Sequence, residues 1–364
     1  MVNDHLGRIF ESVKTKKARG DDVIELNVGE PEIDPPRQVL DGLLSSIKNK
    51  RFKYGQAAGE DSLREKLALE NKVSRENIVI GPGSKFLIYS FLKTVLNNPI
   101  DEVIIPTPYW NTFSFMLQDL GINKIHYLHT LLEDKWQFRV EELSKLINKN
   151  TKCIILTNPN NPTSTVIDRK TLDFAIDIAG KHNIFCLVDG AYKDLIFKEG
   201  DNWNPDFNNH KNLAYSFTFS KRFSMTGFRL GYLLAEEQIV EKIKDYNRIT
   251  ITNVPLFVQD SGLAALNQKD SYTRKMREVY SSRADMACEF LEKNKLKFVK
   301  PQAGFYVFVY IKQDSEKFAY KLLEKGVAVV PGTSFGPYKG FIRISLTEAE
   351  DRIQKGLQTL KNTL

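Results

Sequence analysis

Cysteine is scarce, with Cys153, Cys186 and Cys288 the only three in 364 residues. They are too few and too scattered for a disulfide framework or a cysteine-rich zinc site. Each stands among apolar neighbours, as small buried hydrophobes do. A reducing, cytoplasmic location is expected and no metal site is assigned. Long apolar runs are missing too: none approaches the ~18 residues of a membrane span. The stretch Met1–Lys17 carries charge throughout and lacks the apolar centre of a secretory signal. Glycine and proline, at 21 and 14, are not in excess, which excludes collagen-like and low-complexity chains. No repeat is visible at periods of about 20–50 residues. Charge is not one-sided: 52 basic and 45 acidic residues leave +7, with the two signs interspersed. With no recognition motif added to that balance, neither nucleic acid nor membrane is an expected partner.

What is present is an ordinary folding composition, 42% apolar and 27% charged. At roughly 100–200 residues per domain the length predicts two domains. β-type runs fall at Asn77–Ile80, Val103–Pro106, Lys152–Thr157, Phe185–Asp189, Ala214–Ser220 and Leu230–Leu234. Helical patterns lie between them at Ser84–Leu96 and Arg169–His182. Runs such as Cys153-Ile-Ile-Leu156 and Phe185-Cys-Leu-Val188 are apolar at every position, the mark of strands buried on both faces of a mostly parallel sheet. The loop after Ala214–Ser220 is too short for a crossover helix, which predicts one antiparallel strand. The fold class is therefore α/β with a smaller α+β domain. The tail of the chain has helices at Ile239–Arg248, Leu256–Leu266, Ser271–Lys293, Ser315–Lys325 and Glu348–Asn362, and strands at Phe305–Ile311, Val327–Val330 and Phe341–Ser345. The expected division is 41–270 for the large domain, with 1–40 and 271–364 forming the small one.

The chemistry concentrates in Ser216-Phe-Thr-Phe-Ser-Lys-Arg-Phe-Ser-Met-Thr-Gly-Phe-Arg-Leu-Gly231. An apolar strand ends at Ser220-Lys221, and Arg229 precedes the next strand. Desolvation disfavours a charged lysine at such a strand mouth, and an uncharged amine is a nucleophile suited to a Schiff base. A nearby arginine binds phosphate with fixed geometry, and the Thr218 and Ser220 hydroxyls are further donors. By spacing alone, a surface hairpin with ordinary charges competes evenly.

Ser220-Lys221-x-x-Ser224-Met225-x-Gly227-x-Arg229-Leu230-Gly231 resembles the cofactor-lysine signature of class I aminotransferases, pyridoxal 5′-phosphate enzymes of fold type I. Further blocks match in order: Asn27-Val-Gly-Glu-Pro-Glu-Ile-Asp34, Tyr54-Gly-Gln-Ala-Ala-Gly-Glu-Asp-Ser-Leu-Arg64, Gly83-Ser84-Lys85, Pro106-Thr-Pro-Tyr-Trp110, Asn158-Pro-Asn-Asn-Pro-Thr163, Val188-Asp189-x-x-Tyr192, Val329-Val-Pro-Gly-Thr333 and Phe341-Ile-Arg-Ile-Ser345. The resemblance spans about Leu26 to Leu360 and is closest to aspartate aminotransferases.

It implies roles residue by residue. Lys221 forms the Schiff base and carries the proton. Gly83, Ser84 and the Lys85 backbone open a helix and hold the phosphate with Thr218, Ser220 and Arg229, the Lys85 side chain being a solvated one. Asp189 pairs with the pyridine nitrogen and keeps the ring an electron sink; a helix N-cap is the competing reading. Tyr192 and Asn161 bond the phenolic oxygen. Trp110 stacks on the ring, unless it is a core tryptophan. Gly29 and Asn161 line the substrate, and Arg343 grips its α-carboxylate with two parallel bonds. Tyr54 reaches the phosphate of a neighbouring subunit, which implies a homodimer with shared sites.

Two positions depart from the family pattern. Ser164 replaces a glycine whose freedom at positive φ it lacks, and Gly190 replaces a carboxylate. The implied activity moves an amino group from an L-amino acid, aspartate-like first, to a 2-oxo acid such as 2-oxoglutarate. The alternatives are a carbon–sulfur β-lyase on the same fold and an aminotransferase with aromatic or neutral donors.

Overall fold

The structure, a computed structural model, describes residues 5–198, 207, 210–267 and 269–364. Its centre is a seven-stranded sheet. In spatial order the strands are Ile78–Gly81, Gly231–Leu234, Leu213–Thr218, Phe185–Asp189, Thr151–Thr157, Glu102–Thr107 and Lys124–His129. All neighbours pair parallel except those of Gly231–Leu234, which runs against both its partners. The expected single antiparallel strand is this one.

Both faces are packed. Cys153, Ile155 and Leu187 belong to one apolar core. Ile154, Leu156, Cys186 and Val188, alternating with them, belong to the other. Each buried Leu or Ile contributes roughly 1.5–3 kcal/mol, so strands apolar at every position are held from two sides. Helix Ser84–Val95 buries Leu87, Ile88, Phe91 and Leu92. Helix Arg169–Lys181 starts where Asp168 accepts the Thr171 N–H at 3.0 Å, an N-cap that the sequence marks.

Two expected elements differ, and one strand is additional. The run Ala214–Ser220 stays extended only through Thr218; Phe219–Arg222 is a helical turn, because the Thr218 hydroxyl accepts the Ser220 N–H at 3.2 Å. The run Val327–Val330 divides into Val327–Ala328, which pairs with Ile24–Glu25, and Val330–Pro331, which pairs with Phe341–Ser345. The edge strand Lys124–His129 was not expected from the sequence, since its residues are mostly polar and half-exposed.

A second sheet orders Val330–Pro331, Phe341–Ser345, Tyr306–Tyr310 and Lys297–Phe298, every pairing antiparallel. The chain at Leu26–Val28 lies along its rim. Leu26 O accepts the Ser345 N–H at 2.8 Å, and Val28 O accepts the Thr347 hydroxyl at 2.9 Å. The three cysteines are buried and unpaired, and among the described residues no helix is long and apolar enough to cross a membrane.

Candidate active site

The parallel strands end on one side of the sheet, and the reversed strand begins there. Chemical residues placed at strand ends therefore collect along one rim. A cavity of about 400 Å³ opens at that rim, between the two sheets. Its walls include Gly29, Ser84, Lys85, Trp110, Asn161, Asp189, Tyr192, Thr218, Ser220, Lys221, Arg229 and Arg343. Residues separated by more than 300 positions thus meet. Gly83 stands directly behind, as the N-cap of Ser84–Val95. Tyr54 does not join this chain's cavity and is 86% exposed.

Asp189 ends its strand and is 4% exposed. One carboxylate oxygen accepts the Ala191 N–H at 3.1 Å. Among the described residues no cation lies within ion-pair distance of it. Burial pushes its carboxyl up to about 7, against the pull of that N–H. The adjacent helical turn Lys193–Leu195 has Tyr192 at its N-cap position, so Asp189 caps no helix there. A buried carboxylate that faces a cavity, with no cation among the described residues close enough to pair with it, fits a ligand bearing positive charge.

Lys221 lies within the helical turn Phe219–Arg222, and its amine donates to Gly29 O. Burial brings the amine down to about 8; Glu30 opposes that shift, while Arg343 and Arg229 add to it. The reactive, uncharged amine expected from the strand-mouth position is thereby within reach at neutral to mildly basic pH.

At the far end, Gly83 has φ +87° and ψ 161°, a conformation open almost only to glycine. The turn delivers the free N–H groups of the helix start to the cavity. Arg229 lies over it, its Nη1 donating to Thr226 O at 2.8 Å. Thr218 Oγ1 and Ser220 Oγ are 3.0 Å apart on the same wall. N–H groups at a helix start, two hydroxyls and a guanidinium make an anion cradle. The Lys85 side chain is exposed, as expected, with its ammonium 5.6 Å from the centre of the Trp110 ring. Trp110 is half-buried, with one edge against Phe113. The cavity residues therefore fit a planar, phosphorylated, cationic ring.

Arg343 points inward rather than to solvent and is 4% exposed. Its Nη1 donates to Asn161 Oδ1 at 2.9 Å and its Nη2 to Asn27 O at 2.8 Å. Its Nε is buried without a partner. The Tyr192 hydroxyl is 2.9 Å from that of Tyr306, and burial raises its phenol well above the usual value. Tyr306 was missed from the sequence because an aromatic residue in an apolar strand reads as core. Glu30 was missed as well. It lines the cavity and accepts from the Thr226 hydroxyl.

The departures have local reasons. Ser164 takes φ +54° without glycine's freedom, and its hydroxyl accepts the Tyr306 N–H at 3.2 Å. At Gly190 a Cβ would stand 2.4 Å from the Tyr215 ring, which fills the space a side chain would need.

This fold and rim define an enzyme. The chain belongs to the class I and II aminotransferases, whose family pattern matches residues 21–360; it is a transaminase of fold type I. Among characterised relatives, it is 32% identical over 339 residues to the aspartate aminotransferase of Thermococcus kodakarensis, covering 93% of this chain and 88% of that one. It is 29% identical over 360 residues to the aspartate/prephenate aminotransferase of Thermus thermophilus, covering 96% and 92%. A solved Thermus thermophilus aspartate aminotransferase variant superposes with a TM-score of 0.94 at 28% identity, covering 100% of this chain and 97% of that one. The aspartate aminotransferase of Thermotoga maritima gives 0.92, also at 28% identity, covering 99% and 96%.

Proposed function

We propose that this transaminase uses pyridoxal 5′-phosphate to move the amino group of an aspartate-like L-amino acid to a 2-oxo acid such as 2-oxoglutarate in a ping-pong cycle. The observation that carries the cofactor assignment is the convergence on one cavity of the Lys221 amine, the unpaired buried carboxylate of Asp189 and the anion cradle at Gly83–Ser84. The aspartate-like donor rests on the printed names of the relatives. When bound, the cofactor supplies a cationic ring that accepts the electron pair left at the substrate's α-carbon.

The protein's own residues do the rest. Lys221 holds the cofactor covalently and, once released, carries a proton as a general base and acid. Asp189 keeps the ring nitrogen protonated by ion pairing. Ser84, the backbone of Lys85, Thr218, Ser220 and Arg229 hold the phosphate. Tyr192 and Asn161 face the phenolic oxygen, and Trp110 covers the ring. Arg343 binds the α-carboxylate beside Gly29 and Asn161.

The same reading makes the enzyme a homodimer in which Tyr54 completes the partner's phosphate site. Its support is an exposed apolar face: Leu40, Leu44 and Ile47 on helix Arg37–Lys48, with Phe52 and Tyr54 just beyond. It also divides the chain at 40/41 and 270/271. The large sheet lies wholly within 78–234, while Ile24–Glu25 pairs with Val327–Ala328. Three unpaired buried cysteines fit a cytoplasmic enzyme.

Borohydride reduction of the reconstituted protein, followed by peptide mapping, tests the cofactor assignment: the label belongs on Lys221, and recovery on another lysine ends it. A panel of amino donors against 2-oxoglutarate tests the substrate. Stoichiometric amino acid formation, fastest with aspartate, is expected; release of ammonia and a 2-oxo acid from a single donor would make the enzyme a lyase.

A further inference from the structure

Tyr306 belongs to none of the motifs that mark the site, yet it touches three residues that do. It is 2% exposed and lines the cavity. Its hydroxyl lies 2.9 Å from the Tyr192 hydroxyl. Its ring centre lies 4.2 Å from Cζ of Arg343. A Cβ on Gly29 would stand 1.9 Å from its oxygen, so the glycine leaves room for this hydroxyl. We propose that Tyr306 is a positioning residue with two separable tasks: its hydroxyl aims the Tyr192 proton into the cavity, and its ring holds the face of the Arg343 fork. The proposal rests on the roles of Tyr192 and Arg343 given above.

The first task follows from counting protons. A phenol has one proton to donate, and a buried hydroxyl left without a partner is costly. Among the described residues, the acceptor within reach of the Tyr306 O–H is the Tyr192 oxygen. Either hydroxyl of the pair can donate to the other; in the arrangement proposed here Tyr306 donates, and the proton of Tyr192 is left for an acceptor in the cavity that both residues line. A bond accepted at the Tyr192 oxygen also polarises its O–H, which strengthens the bond donated onward. The charged and titratable groups around the pair are Arg343, Asp189, Lys221 and Glu30. None of them replaces a phenol donor whose oxygen lies 2.9 Å away.

The second task follows from the shape of guanidinium. Bonds to Asn161 and Asn27 fix the edges of the Arg343 plane. They leave its tilt to whatever packs on its face, and an aromatic ring attracts a cation there. A fork that tilts loses the parallel pair of bonds to a carboxylate.

Substitutions separate the tasks. Tyr306→Phe removes the hydroxyl and keeps the ring. Tyr306→Leu and Tyr306→Met remove both, the flexible Met filling the space if Leu folds poorly. Each protein is reconstituted with pyridoxal 5′-phosphate and checked for folding by circular dichroism. The pH midpoint of the bound cofactor's visible absorbance is then measured beside kcat and KM for several amino and 2-oxo acids. A donor favours the ionised phenolic oxygen, so Tyr306→Phe should raise the midpoint by about half a unit to one unit with KM within twofold of wild type. The Leu and Met variants should show the same shift and raise KM for every acid by about three- to thirtyfold.

An unmoved midpoint in Tyr306→Phe overturns the hydroxyl's task. A rise in KM as large in the Phe variant as in the other two overturns the ring's. In a Tyr192→Phe background the added Tyr306→Phe change should be silent in the spectrum. If Tyr192→Phe alone leaves the midpoint where it was, the Tyr192 assignment fails and the relay with it, while the KM comparison still judges the ring.

Discussion

A methyl group on Gly83 would lie 2.7 Å from Nη2 of Arg229. The phosphate turn and the arginine just before the reversed strand are packed so closely that a side chain on the turn would have to push the end of the arginine aside. Gly83→Ala also forces alanine into φ +87°, a strain on the order of 1–3 kcal/mol. Either the turn or Arg229 must move. The expected result is at least a tenfold rise in the dissociation constant for pyridoxal 5′-phosphate, equivalent to about 1.4 kcal/mol, read by equilibrium titration of the cofactor-free protein. Unchanged affinity would mean that the turn does not hold the phosphate.

Asp189 and Lys221 give the cofactor-free protein two opposite pH limbs. The folded-state carboxyl of Asp189 is raised from 3.8 to about 7. Between those values the folded protein binds a proton that the unfolded chain releases, so this contribution is full below 3.8 and is lost as pH rises through about 7. The Lys221 amine is lowered from 10.5 to about 8. Between those values the unfolded chain holds the extra proton, so stability recovers with rising pH. Melting temperatures from pH 4 to 10.5 should lose the falling limb in Asp189→Asn and the rising limb in Lys221→Met. Limbs that survive these substitutions belong to other groups.

For the holoenzyme, Asp189→Asn separates two roles of the carboxylate. The asparagine amide oxygen can still accept the Ala191 N–H, but it cannot keep a ring nitrogen protonated. Turnover should collapse while the melting temperature stays close to wild type. Near-normal turnover would reduce Asp189 to its bond with the Ala191 N–H.

Arg343→Lys keeps the charge and removes the fork. Lysine is a point charge, and the lost charge-assisted bonding is worth roughly 1.5–3 kcal/mol, about a ten- to hundredfold fall in kcat/KM. The loss should be common to every amino and 2-oxo acid, because all share the α-carboxylate, with cofactor content little changed. A defect confined to dicarboxylates would place Arg343 at the side-chain end of the substrate instead.

Ser164 offers a test of stability alone. Its hydroxyl accepts the Tyr306 N–H from a residue held at φ +54°. Ser164→Ala keeps the strain and orphans a buried donor, and should cost about 1–3 kcal/mol in denaturant unfolding. Ser164→Gly orphans the same donor but relieves the left-handed backbone, worth roughly 1–2 kcal/mol, so it should be the milder change. The reverse order would show that the hydroxyl contributes little.

Where the sequence was legible, one physical signal dominated. Phe185–Asp189, Phe341–Ser345 and Leu256–Leu266 have the boundaries that their apolar patterns predict. The strand Lys124–His129 was invisible because it lies at the sheet edge, where only one neighbour and part of one face bury it. Its Lys124 and His126 reach across to the buried Glu102, a pairing that no periodicity announces. At the site, Asp189 and Lys221 could be singled out because a charge at the end of a buried strand is expensive without a purpose, whereas Gly29 and Gly83 were picked out only by the family resemblance. Tyr306 could not, since a tyrosine suits an apolar strand whether or not its hydroxyl has work to do.

The reversed strand Gly231–Leu234 also limits how this enzyme can vary. Lys221 and Arg229 hang on a single hairpin whose register pairs Thr218 with Gly231 and Tyr215 with Leu234. Side chains alternate faces along a strand, so deleting one residue from the connecting loop would either turn every residue of Gly231–Leu234 over or pull Arg229 off the rim. Here the number of residues is as constrained as their kind. Variation in the 222–228 loop can exchange letters, but it cannot change their count without separating the two handles by which the chain would hold its cofactor.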